Sequence, residues 1–238
     1  MAAETTVQAG AAPTAPVPTA AGTSGTKMIV TMGTLGLVCA VLIVAVFQLT
    51  QPAIERNKAA ALERAIFEVI PGATSKTVFA EKDGKLVPAE EAPGALRYFA
   101  GYDDDHRLVG VAVEASGQGF ADIVKLIFGY APDKGAVVGM KVLESHETPG
   151  LGTKIETDPA FRANFEALDA KLNASGDGIA NPVVLAKNGK KTQPWEIEAI
   201  TGATISSRAV TSIMHDGTAH TVPIIMNNLQ ALEAAGNE

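Results

Sequence analysis

Residues 28–50 read MIVTMGTLGLVCAVLIVAVFQLT without one charged side chain, and no other feature constrains the fold as strongly. At about 1.5 Å of rise per residue, a helix of that length crosses a hydrocarbon core about 30 Å thick. One transmembrane helix over 28–50 is therefore expected. A cleaved signal peptide is the alternative, but its apolar region is usually about 7–15 residues, and here the run follows a long tail with one basic residue, Lys27. That tail, residues 1–27, is almost entirely Ala, Thr, Pro, Gly and Ser with few large apolar side chains, and is expected to be disordered.

After the span, Gln51-Pro52 is expected to end or kink the helix. Residues 51–72 read as a connecting helix, with Ile54, Leu62, Ala65, Ile66 and Val69 near helical spacing before Pro71-Gly72 stops it. The rest, 73–238, is long enough for one folded domain. Its first half has the period-two pattern of strands, broken at Asp83-Gly84, at the polar run Asp103 to Arg107 and at Asp133-Lys134-Gly135. Those spacings favour antiparallel pairing. Thr157-Asp158-Pro159 then opens a short helix carrying Phe161, Phe165 and Leu168, followed by the extended segment NPVVLA and a strand containing Trp195. A last helix is expected from about Thr204 to Leu232, with a break near Gly217 or Pro223. Strands grouped apart from helices specify an α+β domain with an antiparallel-rich sheet and flanking helices.

The formal net charge of −7, without a cluster of Lys and Arg, argues against nucleic acid as a partner. One cysteine, Cys39 inside the apolar run, cannot build a disulfide, an all-cysteine zinc site or an iron–sulfur cluster. The four histidines, His106, His146, His215 and His220, lack metal-ligand spacing, so no metal site is expected. GQGFAD has Asp122 where the third glycine of a dinucleotide fingerprint belongs.

Chemistry concentrates in EAITGATISSRAV, residues 198–210. An extended segment leads through Gly202 and Ala203 into Thr204, Ser206 and Ser207 at a helix start, where unpaired amides and the positive end of the helix dipole suit an anion such as phosphate. The plainer reading makes Thr204 or Ser206 a helix cap.

TGATISSRAV closely resembles the flavinylation motif, [S/T]GAT followed by x-[S/T], of the FMN-binding domain family, which is shared by the G subunits of Rnf electron-transport complexes and the C subunits of sodium-pumping NADH:quinone reductases. A second stretch, ESHETPGLGTKIE at 144–156, resembles the HETPGLG-type loop of the same family, and the likeness runs from about residue 28 to 230. Glu198 stands where the family commonly has Asp six residues before the modified Thr.

The resemblance implies one FMN joined by a phosphoester to Thr204, placed there from FAD by a separate flavin transferase, in a chain that carries electrons and has no catalytic residue of its own. It implies that Thr201, Gly202, Ala203, Ser206 and Ser207 surround the phosphate, with Arg208 able to neutralise it. Pro149, Gly150 and Gly152 would bring backbone amides against the flavin, Thr148 and Leu151 would touch its ring, and His146 and Glu147 would tune it, their plainer reading being ordinary loop anchoring; Trp195 is a further stacking candidate whose plainer reading is core. Glu144 is expected to be solvated.

As a whole, the resemblance implies one component of an Rnf-type ion-translocating complex acting between ferredoxin and NAD. Its partners would be the other membrane and peripheral subunits, and it would be held in a bacterial inner membrane with the flavin domain on the periplasmic side. The alternatives are the C-type component of the quinone reductase and a flavin-binding adapter without redox work. The charges point the other way on topology, because Lys27 precedes the span while Arg56, Lys58 and Arg64 follow it.

Overall fold

The computed structural model describes residues 25–237. The tail expected to be disordered lies outside the described residues up to position 24, and its last three residues begin the first helix, α1, Gly25–Val69. The chain divides into two units, one ending at Ile54 and the other beginning at Glu55. In the first unit every side chain from 25 to 50 is exposed, and the helix is long and apolar enough to cross a membrane. An apolar helix with no protein around it is suited to lipid. Three of its hydroxyls are satisfied within the helix: those of Thr31, Thr34 and Thr50 donate to the carbonyls of Lys27, Val30 and Val46.

Of the two outcomes expected at Pro52, an end or a kink, the helix shows no end there. A single proline removes one backbone donor and crowds one carbonyl, which the good helix formers on either side of Pro52 tolerate.

The second unit is built on a sheet with strand order β2-β1-β3-β4-β5-β6-β7, antiparallel throughout. Its strands are β1 (Ser75–Lys82), β2 (Lys85–Pro88), β3 (Arg97–Tyr102), β4 (Leu108–Gln118), β5 (Ile123–Ala131), β6 (Ala136–Glu144) and β7 (Leu168–Asp169). Asp83 and Gly84 join β1 to β2 with φ of 52° and 74°, the conformation a two-residue hairpin turn needs. The other two expected turns also connect neighbouring strands, β3 to β4 and β5 to β6.

Alternation along the strands sends side chains to two cores. Val111, Val113, Leu126 and Phe128 face one, which is closed by helix α4, Thr204–Asn227. Phe99, Ala112 and Ile127 face the other, which is closed by Ile66 and Val69 at the end of α1 and by Ile70 just past it. Glycines make the second contact possible: a Cβ on Gly129 would collide with the Val69 carbonyl, and one on Gly139 would lie 2.7 Å from Val69 Cα. Backbone therefore packs on backbone there.

Three sequence expectations are corrected. The helix after Asp158 is only Pro159–Ala163 (α3), preceded by the single turn α2, Lys154–Thr157, so Phe165 and Leu168 lie beyond it. Asn164 ends it, its amide donating to Phe161 O at 3.0 Å while its oxygen accepts from Glu198 N and Lys191 Nζ, each at 3.0 Å. Next, the short strands β8 (Val184–Ala186) and β9 (Glu196–Glu198) pair in parallel, with Trp195 just ahead of β9. Finally, α4 passes unbroken through Gly217 and Pro223, the former because a bare α-carbon lets the helix approach Phe128. The break falls at Asn228, before α5 (Leu229–Ala234), where the side chain accepts from Leu86 N and donates to Gly84 O.

Candidate functional site

Residues 198–210 fold into the strand, turn and helix that their sequence suggests. β9 ends at Glu198, Gly202 turns the chain with φ of +85°, and α4 begins at Thr204 with Ala203 as its cap residue. Thr204 is thus the first helical residue, not the cap, and it is exposed. No side chain caps α4. The opening amides of a helix have no intrahelical acceptor, so this turn presents donors and the dipole's positive end beside the Thr204 hydroxyl.

The two serines face inward. Ser207 Oγ donates to Ala203 O at 2.9 Å and accepts from Ile200 N at 3.0 Å, stitching the end of the strand segment to the helix start. Ser206 Oγ donates to Glu147 Oε2. Each hydroxyl has one hydrogen and has spent it on protein, whereas Thr201 and Gly202 are exposed and Ala203 is buried.

Glu147 organises the neighbouring loop. Its side chain is almost wholly buried, with 4% of the residue exposed, and Oε1 accepts from the amides of Phe120 and Ala121 at 2.7 and 3.0 Å. Glycines leave it room: a Cβ on Gly119 would strike Oε1, and one on Gly152 would lie 2.7 Å from Glu147 Cβ and 3.0 Å from Ser206 Oγ. Loop 145–152 is therefore held against the first turn of α4.

The rest of that loop stays open. Thr148, Gly150 and Leu151 are exposed, Gly150 has φ of +75°, and its amide donates to Thr153 Oγ1 at 3.0 Å. His146 is exposed and lies 3.4 Å from Asp122. Exposed Phe120, Leu151 and Ile205 belong to the three segments that Glu147 ties together.

Other expected residues lie elsewhere. Glu144 is not simply solvated: it pairs with Lys58 at 3.2 Å and Lys125 at 3.3 Å, which hold its carboxyl below the usual glutamate range. Glu198 accepts from the Gly189 amide and lines a cavity of about 220 Å³ with Lys154, Asn188 and Thr201. Arg208 is exposed and Trp195 half-buried. Among the described residues no three His, Cys, Asp or Glu side chains gather to hold a metal. The turn 119–122 carries no site signal in the sequence, where GQGFAD reads only as a failed nucleotide fingerprint.

The arrangement fits a phosphorylated flavin. An exposed hydroxyl sits among uncapped amides, which suits phosphate, and exposed apolar side chains stand on the adjoining segments.

The FMN-binding domain model matches residues 119–219, the interval that holds both the Glu147 loop and the Thr204 turn. The chain is 32% identical over 190 residues to the G subunit of the ion-translocating oxidoreductase complex of Methanosarcina acetivorans, covering 80% of this chain and 90% of that one. It is 32% identical over 149 residues to the G subunit of the Na(+)-translocating ferredoxin:NAD(+) oxidoreductase complex of Acetobacterium woodii, covering 61% and 66%. The fold is similar to the crystal structure of Shewanella oneidensis NqrC, with a TM-score of 0.56 at 19% identity, covering 76% of this chain and 99% of that one.

Proposed function

The chain belongs to the FMN-binding domain family, among the G subunits of ion-translocating oxidoreductase complexes, and from that premise we propose that it carries electrons through one FMN held by a phosphoester on Thr204. It is an FMN-binding electron-transport component of a redox complex with other subunits as partners, and its apolar helix suits it to membrane anchoring. The position of Thr204 carries the finer reading. It is the exposed first residue of an uncapped helix, inside a TGAT motif.

Thr204 is an unactivated alcohol and a weak nucleophile near neutral pH, so a separate flavin transferase must supply the base. Its Oγ1 forms the new bond to the FMN phosphorus of FAD, the pyrophosphate bond breaks, AMP leaves, and the hydroxyl proton passes to the transferase. The uncapped first-turn amides of the last long helix would hold the phosphate oxygens, with the exposed Thr201 and Arg208 as further candidates. Bound FMN supplies a centre that accepts and passes one or two electrons. The exposed side chains of Phe120, Leu151 and Ile205 would limit water around it, and His146 stands exposed on the adjoining loop.

The relative from Acetobacterium woodii supports ferredoxin and NAD as the terminal donor and acceptor of the whole complex, with the coupling path in other subunits. A flavin domain on the periplasmic side of the inner membrane completes the proposal. Intact mass of the chain isolated with its complex should exceed the sequence mass by one FMN less one water. The flavin fluorescence of its band in a denaturing gel should vanish in Thr204→Val. Retention of that fluorescence by the variant would place the flavin elsewhere.

A further inference from the structure

We infer that Glu147 is a positioning residue for the flavin site, and that through it the turn 119–122 becomes part of that site. The inference rests on the assignment of attachment to Thr204. It gives Glu147 a different task from touching flavin.

The geometry points inward. With 4% of its surface exposed, Glu147 is turned into the protein, and both carboxylate oxygens accept hydrogen bonds from it. One takes the consecutive amides of Phe120 and Ala121, and the other takes the Ser206 hydroxyl. Three chain segments, remote in sequence, thereby meet on one side chain.

The space around it is equally specific. Gly119 and Gly152 come from different loops, yet a methyl group on either would meet Glu147 first. Both close approaches therefore serve the same carboxylate. Ser206 lies two residues beyond Thr204 in the same helical turn, so holding its side chain fixes the pitch and rotation of that turn. The same grip places Phe120 and Leu151 beside the turn that presents Thr204. Without Glu147, the amides of residues 120 and 121 lose their acceptor and the turn loses its link to α4.

Positioning depends on reach. Glutamine has the length of glutamate, and its oxygen can accept from the two amides while its NH₂ donates to Ser206. Aspartate keeps the charge but is one methylene short and cannot span both sides. Length should then matter more than charge, the reverse of what a charge-tuning contact with flavin would give.

The test uses the full apo chain in membranes or detergent, with a flavin transferase and FAD. Loading per folded molecule is followed by in-gel fluorescence, well below the melting temperature of every variant. Glu147→Asp should load at least tenfold more slowly than wild type, while Glu147→Gln should stay within about threefold of it. In the unloaded proteins, hydrogen–deuterium exchange should show lost protection at 119–122 and 204–207 in Glu147→Asp and retained protection in Glu147→Gln. Should Glu147→Asp not fold, Ser206→Ala replaces it and should load at least threefold more slowly. Wild-type loading and protection in the deciding variant, or slowed loading with protection intact, would overturn the inference. Loading of Thr204→Val would instead remove the attachment assignment, leaving the exchange measurement to decide the role of Glu147.

Discussion

Ser206 and Glu147 are joined by a buried hydrogen bond across fifty-nine residues of sequence, and Ser207, the next residue, is bonded only within its own turn region. The two hydroxyls therefore have separable consequences. Ser207→Ala leaves the Ile200 amide without its acceptor, and an unsatisfied buried donor costs about 1–3 kcal/mol. Ser206→Ala removes one of the three donors to a buried carboxylate, a loss of similar size. Urea melts should show both losses, and only Ser206→Ala should also raise amide exchange at 120 and 121. Equal exchange in the two variants would mean that the Glu147 junction does not depend on Ser206.

The contact of α1 with the sheet allows a sharper test. Gly129→Ala and Gly139→Ala each push a methyl group into the backbone of Val69, where no side chain can rotate away. Overpacking of this kind costs about 1–3 kcal/mol, and backbone against backbone belongs at the upper end. Gly84→Ala meets empty space, but its φ of +74° disfavours any side chain, so a smaller loss of about 1 kcal/mol is expected. Thermal unfolding should rank the sheet glycines well below Gly84→Ala in stability. The reverse order would show that the end of α1 does not pack as described.

Much of this fold could be read in the chain because its strands carry local signals. Asp83-Gly84 can hardly be anything but a tight turn, and Asp158-Pro159 announces a helix start whatever surrounds it. What could not be read depends on distant partners. Nothing near Gly217 says that Phe128 will fill the space beside it, and nothing near Asn228 says that the β1–β2 hairpin will capture its side chain. The candidate site divides the same way. Thr204 stands out through its own motif, and loop anchoring by Glu147 is one of its two sequence readings, but what it anchors becomes visible only when the amides of Phe120 and Ala121 are seen to point at it.

Asn228 offers a third prediction. Its side chain bonds Leu86 N at 3.2 Å, Gly84 O at 3.1 Å and Ile224 O at 2.8 Å, so it both ends α4 and anchors the hairpin. Asn228→Ala should cost about 1–3 kcal/mol and free the amide of Leu86 to exchange, because its acceptor is gone. If the helix simply extended through position 228 without loss of stability, the capture by the hairpin would be incidental.

Acid should loosen the domain through carboxylates held below their ordinary range. Glu144 is held there by its bonds to Lys58 and Lys125, Glu196 by the amides of Thr192 and Gln193, and Asp103 by the amide and guanidinium of Arg107. For a group whose folded pKa is depressed, stability is fully present above the unfolded pKa and is lost as pH falls through the folded one. The loss should therefore begin as pH drops through the usual carboxylate range and continue below it. Glu144→Gln should flatten its share of that slope and lower neutral-pH stability by the same amount, a small one because exposed pairs contribute little. A slope identical to wild type in urea melts across that range would remove Glu144 from the account.

Orientation in the membrane sets the charges after the span against the domain that follows. Arg56, Lys58 and Arg64 favour a cytoplasmic domain over the single Lys27, but the rule weighs charge differences between flanks, and three against one is a small one. Lys58 also has a task in the folded domain, its bond to Glu144, so its presence is explained without any role in insertion. With the domain on the periplasmic side, a C-terminal alkaline phosphatase fusion should be active and a fluorescent-protein fusion that matures only in the cytoplasm should stay dark. Replacing Arg56, Lys58 and Arg64 by Gln should leave both outcomes as they are, because removing basic residues from that flank strengthens the bias toward export. A fluorescent fusion in the wild-type chain, with inactive phosphatase, would put the domain and any flavin on Thr204 in the cytoplasm.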